Sequence, residues 1–470
     1  MGNELQKKYG LITAVCMVVG IVVGSGVFFK AEKILTATGG NLPLGILAWV
    51  IGGAIMIVCA YTFAVMATKY EKVNGIVDYA EATCGPRYGY TVGWFMALIY
   101  YPTLTGVLAW ISARYTLVLF GSDEITGGAC MTLACFYLVA SYALNALSPV
   151  LAGKFQVTTT FIKLVPLLAM AVVGTIVGLA NGLLIENFTS IPSSTEILGV
   201  NPDYAPASNA LLTAVVATAF AYEGWIIATS INAELKNAKK NLPIALVLGT
   251  FIIMAVYILY YVGLAGAAEN ITMIAGGEAG AKIAFGNVFG TIGGTLIFVF
   301  VVISCIGTLN GLMLGCCRGL YSVAARGRGP KPVIFAQIDK STNMPSNSSI
   351  VGLLLCGFWL LYFFGANLTG PWFGIFSFDT SELPIVTIYG LYIPIFINMM
   401  RKEKDLNVFQ RIITPFLAIC GSVFMIYAAF ASHGTTAVCC YLVVFAVIIV
   451  IGQCFFKKKD TSEALEANEM

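Results

Sequence analysis

Long apolar runs, punctuated by short polar segments, set the pattern of this chain. About 20 consecutive apolar residues suffice to cross a bilayer as a helix. Twelve such runs can be marked, at about 11–37, 43–68, 90–120, 127–147, 155–181, 208–233, 243–268, 287–325, 348–365, 372–398, 411–431 and 434–456. The eighth is too long for one crossing and is expected to protrude into the cytoplasm, carrying Arg318 and Arg326. Two runs are interrupted by glycine where a helix should be continuous. One break is Gly24-Ser25-Gly26, inside Leu11 to Phe29; the other is Tyr222-Glu223-Gly224-Trp225, inside Leu211 to Ile231. Gly24 and Gly224 lie 200 residues apart, each in the first long span of its half. Interior glycine weakens a helix by about 1 kcal/mol relative to alanine. Backbone groups freed within lipid are tolerated only where they line a cavity or bind something. Paired breaks at corresponding places therefore point to a transporter's substrate site.

Composition agrees with this pattern. The 470 residues are 59% hydrophobic and only 10% charged, with a mean hydropathy of +0.87. So little charge excludes a soluble globule of this size, and the net charge of +3 carries no nucleic-acid signal. Threading the twelve runs from a cytoplasmic N-terminus places 21 of the 26 basic residues inside. Only Lys30, Lys33, Arg114 and Lys282 fall outside or near it, and Lys163 lies within a span. That bias makes both termini cytoplasmic. The first run follows Lys7 and Lys8 but is too long for a cleaved signal and is read as retained. Thirteen scattered cysteines without a C-x-x-C spacing read as packing residues.

The expected organisation is a cytoplasmic N-terminus (1–10), a first repeat of five spans (11–181), an extracellular connector (182–207), a second repeat (208–398), a cytoplasmic loop (399–410), two further spans (411–456) and a cytoplasmic tail (457–470). The connector holds Glu186, Glu196, Asp203 and three prolines, and reads as loosely structured. Val77 to Cys84 reads as a short interfacial helix ending before Pro86.

The chemistry expected at the breaks is carried by backbone. A helix resuming after Gly26 aims the N–H groups of Ser25, Gly26 and Val27 into a cavity, where a positive dipole end holds a carboxylate. Carbonyls of Val22 and Val23, beside Gly24, can accept from an ammonium. Phe220, Ala221, Glu223 and Gly224 repeat that geometry at the second break. A zwitterion is thus met by main chain, which suits an amino acid. The competing reading of Gly20-x-x-x-Gly24 is close helix packing. Glu223 is a carboxyl at mid-membrane depth, which marks function by default. It reads as a neutral hydrogen-bonded acid, a proton site, or a ligand for a second amine. Lys163 reads either as a snorkelling residue or as a fixed cation binding carbonyls of the broken first helix. Phe220, bordering the second break, reads as a gate. The single histidine, His433, leaves no metal cluster and no Ser/His/Asp constellation, so neither enzyme nor metal site is expected, nor any cofactor.

With these residues in view the chain resembles the amino acid–polyamine–organocation transporters, closest to bacterial members of their L-amino-acid-transporter branch. The likeness rests on Gly24-Ser25-Gly26-Val27-Phe28, Phe220-Ala221-Tyr222-Glu223-Gly224-Trp225, Glu234-Leu235-Lys236-Asn237 leading to Lys240-Asn241-Leu242-Pro243, Arg318-Gly319-Leu320-Tyr321 through Ala325-Arg326-Gly327, and Met344-Pro345. It implies an all-α membrane fold of 12 helices, a leucine-transporter-type 5+5 inverted repeat plus two, with the first and sixth helices broken. It implies a substrate carboxylate at Ser25, Gly26 and Val27, an amine at carbonyls near both breaks, and a gate at Phe220. It also matches Lys163, spaced from Gln156, to the branch's fifth-span lysine, and Tyr257 to an aromatic of the seventh span. Lys163 would stand where ion-coupled relatives hold sodium. Glu223 departs from the pattern, standing where better-known members carry glycine. The loop at 121–126 lacks the cysteine that animal members use to bond a heavy chain, so no heavy-chain subunit is expected. The expected activity is sodium-independent amino acid exchange at the cell membrane; proton-coupled symport through Glu223 or Lys163 is the alternative, and a sensor or channel is disfavoured.

Overall fold

A computed structural model describes residues 10–70, 75–122, 125–202, 204–226 and 235–456, which form helices and no strand. The chain begins with α1 (Leu11–Val22) and α2 (Ser25–Ala37), bent by 49° where Val23 and Gly24 leave helical geometry. Then come α3 (Leu42–Lys69), the short α4 (Ile76–Cys84), α5 (Pro86–Leu119), α6 (Gly128–Leu147) and α7 (Pro149–Ala180). The second half holds α8 (Ala210–Ala221), α9 (Ala238–Ala267), α10 (Gly280–Ala324), α11 (Ser346–Leu368), α12 (Leu383–Lys402), α13 (Phe409–His433) and α14 (Thr435–Cys454). Ten of these are long and apolar enough to cross a bilayer, and the bent α1–α2 pair makes an eleventh. The continuation of the expected sixth span, 227–233, lies outside the described residues.

Side-chain periodicity explains which faces turn inward. On α7, Phe161, Val165, Leu168, Val172, Ile176 and Leu179 recur every three or four residues and are all exposed, a stripe suited to lipid. Thr159, Lys163, Leu167 and Met170 occupy the opposite face and are buried. Lys163 is thus directed into the bundle by the same period that sends its neighbours to lipid. Around the centre, α9 packs along α1 and α3, α10 packs along α5 and α7, and α8 packs against α2. The C-terminal end of α10 is tied to α4 by Arg326, whose Nη2 donates to Asp78 at 2.6 Å.

Two expectations about the elements need correction, while the over-long eighth run keeps its length in α10, which has one non-helical residue near its start, Gly290, whose φ of 72° no ordinary side chain adopts easily. The run at 372–398 counted Phe373, Ile375 and Phe376 as membrane helix, but residues 374–376 form a 3₁₀ turn and α12 starts only at Leu383. The connector at 182–207 is more ordered than expected, with helices Leu183–Thr189 and Ser194–Val200. The second has a reciprocal cap, Ser193 and Glu196 satisfying each other's backbone. Asn187 in the first is buried and donates to the carbonyls of Ala265 and Ala268 at 2.6 and 3.0 Å. All thirteen cysteines are free thiols.

Candidate substrate site

The end of α1 leaves carbonyls that its own helix no longer supplies with donors. Lys163 Nζ donates to the Gly20 carbonyl at 3.2 Å, and the Tyr257 hydroxyl donates to that of Val22 at 3.1 Å. Tyr257 is held for this by stacking on Tyr222, with ring centroids 5.3 Å apart, and by an edge contact with Trp49. A side chain from α7 and another from α9 therefore stabilise the unwound segment without touching the cavity. At the start of α2 no side chain caps the first turn. The N–H groups of Ser25, Gly26 and Val27 have no partner within their own helix. Ser25 is fully buried, and its Oγ has no hydrogen-bond partner. A buried hydroxyl left unpaired is unfavourable by about 1–3 kcal/mol, and one lining a cavity points to a guest that pairs with it.

The end of α8 meets the gap between α1 and α2. A Cβ placed on Gly26 would lie 2.7 Å from the Ala221 Cα and 3.1 Å from the Phe220 carbonyl. Only glycine lets the two backbones approach so closely. After α8 ends, Gly224 takes a φ of 108°, a conformation L side chains rarely adopt. That turn sends Tyr222 toward α3, where its hydroxyl donates to the Trp49 carbonyl at 2.9 Å. Glu223 turns the other way, into the cavity, and accepts from the Tyr100 hydroxyl.

Between the α1–α2 junction and the end of α8 lies a cavity of about 300 Å³, at the lower end of small-molecule sites. Val22, Gly24, Ser25, Gly26, Phe220, Ala221, Glu223 and Gly224 all line it. Val23 and Val27 are buried but lie outside its lining, and Lys163 and Tyr257 stand one layer behind. Further wall residues come from α5 (Tyr100, Leu104, Leu108), α7 (Gln156) and α10 (Thr308, Gly311, Leu312, Leu314). Of these, the sequence pointed only to Tyr100 as an aromatic facing the cavity, although the small residues at Gly307, Thr308 and Gly311 mark a face of α10 that admits close neighbours. Gln156 is fixed by Asn310, which donates to its Oε1 at 3.3 Å. Most of the wall is apolar, so its few polar groups decide orientation.

One end of the cavity is covered by Phe220, which meets Phe29 edge-on at 5.9 Å. Above these rings sits a layer of charge. The Lys30 ammonium is 5.0 Å from the Phe29 ring and 5.2 Å from the Phe220 ring, and it donates to Glu382 Oε1 at 2.5 Å. The other oxygen of Glu382 is 3.0 Å from His433 Nε2. This layer joins α2 to the start of α12 and the end of α13. Lys30 and Glu382 are separated by 352 residues along the chain, so no local pattern announces it.

The model of the amino acid permease family matches residues 9–454. Among individual relatives, the chain is 28% identical to the serine/threonine exchanger SteT of Bacillus subtilis, over 90% of this chain and 91% of that one. It is 25% identical to the b(0,+)-type amino acid transporter 1 of Mus musculus, covering 92% and 84% of the two chains. The human cystine/glutamate transporter is 24% identical over 73% of this chain and 66% of its own. These relatives are transporters, not enzymes. Among solved structures, MhsT in complex with L-phenylalanine superposes with a TM-score of 0.54 at 15% identity, covering 95% of this chain and 100% of that one. That likeness concerns the fold alone. On the match to nearly its whole length, the chain is a multi-pass membrane protein of the amino acid permease family, akin to the L-amino-acid-transporter branch.

Proposed function

We propose that this protein is a sodium-independent amino acid exchanger that works by alternating access. The observation that carries this is the junction of Gly26 with Ala221. It brings an uncapped helix start, with its donors and the unpaired Ser25 hydroxyl, against the end of α8 across one cavity. A carboxylate is held at the start of α2, and the ammonium is held by carbonyls of the two breaks. The Tyr257 bond uses one lone pair of the Val22 carbonyl and leaves the second. Lys163 supplies a fixed positive charge beside the unwound segment, which removes the need for sodium. The names of the exchanging and amino-acid-transporting relatives support the same reading.

The full reading has the twelve crossings marked in the sequence. It takes 11–181 and 208–398 as the inverted repeats, both termini as cytoplasmic, and the cell membrane as the location. The chain works without a heavy-chain subunit. The phenylalanine and charge layer over Phe220 is then the closed outer gate. A second reading, proton-coupled symport, is favoured by one observation: the Glu223 carboxyl faces the cavity and pairs with Tyr100. Proteoliposomes separate the two. Exchange predicts uptake that requires internal amino acid and ignores both sodium and a proton gradient. Uptake into empty vesicles driven by an inward proton gradient would overturn exchange.

A further inference from the structure

The charge layer above Phe220 contains more than an ion pair. Asp379, Glu382 and His433 each offer one ligand atom, and these atoms lie within 4.8 Å of one another. A single histidine seemed to leave no metal-ligand set in this chain. The two carboxylates come from the turn just before α12, where no sequence spacing connects them to the end of α13.

We propose that these three residues form a binding site for a borderline divalent cation of the zinc class, and that the bound ion clamps the outer gate shut. Zinc takes imidazole nitrogen and carboxylate oxygen at about 2.0–2.2 Å, so ligand atoms in a tetrahedral site stand about 3.3 Å apart. His433 Nε2 and Glu382 Oε2 are already at 3.0 Å. Asp379 Oδ1 is engaged by the N–H groups of Ser381 and Glu382 at 2.6 and 3.2 Å, which fixes the carboxylate and leaves its other oxygen for the ion. Lys30 holds Glu382 Oε1, the outer hydrogen bond that orients a metal-ligating carboxylate. With the His433 imidazole neutral, as a metal ligand must be, two carboxylates against one ammonium leave the layer negative, which favours a cation. In the same turn the Thr380 hydroxyl is fully buried without a partner. Partial exposure of His433 and Asp379 gives the ion a way in.

The clamp follows from the connections. An ion joining His433 to Glu382 ties the end of α13 to the residue that already holds Lys30 on α2. Outward opening must separate α2 from α12, so a bound ion slows it. This step rests on the transport reading, whereas binding does not. Zinc chloride is titrated into purified protein by isothermal calorimetry, with magnesium chloride as the control. One equivalent of zinc is expected to bind to the full chain, to weaken at least tenfold in His433→Ala and in Asp379→Asn, and to have no magnesium counterpart. Asparagine keeps the helix-capping oxygen, so Asp379→Asn retains the turn. Equal zinc binding by the wild type and both variants would overturn the site. In proteoliposomes, external zinc is expected to slow exchange in the wild type relative to its own zinc-free rate and to leave His433→Ala unaffected. Binding without slowing would overturn the clamp.

Discussion

Removing one atom separates the role of the broken helix in holding substrate from any role in holding the fold. Ser25→Ala deletes a hydroxyl that is fully buried and has no hydrogen-bond partner within the chain. An unsatisfied buried hydroxyl is unfavourable by about 1–3 kcal/mol, so its loss should leave the melting temperature unchanged or raise it. Binding should move the opposite way. A hydrogen bond from Ser25 to a substrate carboxylate is worth about 1.5–3 kcal/mol because one partner is charged. At 1.4 kcal/mol per tenfold, the Kd for amino acid should rise about tenfold to 150-fold. Scintillation-proximity binding of a radiolabelled substrate and a thermal-shift assay on the same detergent-purified samples give both numbers. Unchanged affinity, or affinity and stability falling together, would refute the reasoning, because the hydroxyl would then serve packing alone.

Gly26→Ala forces a Cβ to within 2.7 Å of Ala221; overpacking of this kind is worth about 1–3 kcal/mol, and binding and transport should both fall severalfold, as dose-dependent uptake would show. Tyr257→Phe removes the donor to the Val22 carbonyl, a loss of about 0.5–1.5 kcal/mol, and should slow exchange by up to about tenfold while expression holds. Lys163→Ala leaves the Gly20 carbonyl without its donor and empties the buried charge site. Exchange should drop at least tenfold in proteoliposomes with the purified protein still monodisperse; full activity would remove the lysine from the mechanism.

The sequence was most legible where local chemistry is unusual. Glycine inside an apolar run exposed the break at Gly24, because continuous lipid-facing helix tolerates it poorly. A lone lysine in the fifth span drew attention to Lys163, and the three-to-four-residue stripe of exposed apolar side chains on α7 explains why it turns inward. What sequence concealed was contact at a distance. Gly26 and Ala221 touch across nearly 200 residues, and Lys30 meets Glu382 across 352. Nothing local to either partner encodes such meetings. Gln156, Thr308 and Leu104 escaped for a related reason, since ordinary residues become wall residues only through the helices beside them. Hydropathy alone also misjudged 372–382, whose aromatic side chains cover a turn and do not form a membrane helix. The conformation of Gly224 lay hidden too, because a positive φ leaves no mark beyond the glycine itself.

The most direct test of the central idea is a cryo-electron-microscopy structure of the protein with its transported amino acid bound. The expected map places the substrate carboxylate within hydrogen-bond distance of the Ser25 hydroxyl and the first N–H groups of α2, with the ammonium facing carbonyls at Val22 and Phe220. An amino acid bound away from the Gly26–Ala221 junction, or a carboxylate paired with a basic side chain in place of main chain, would contradict it.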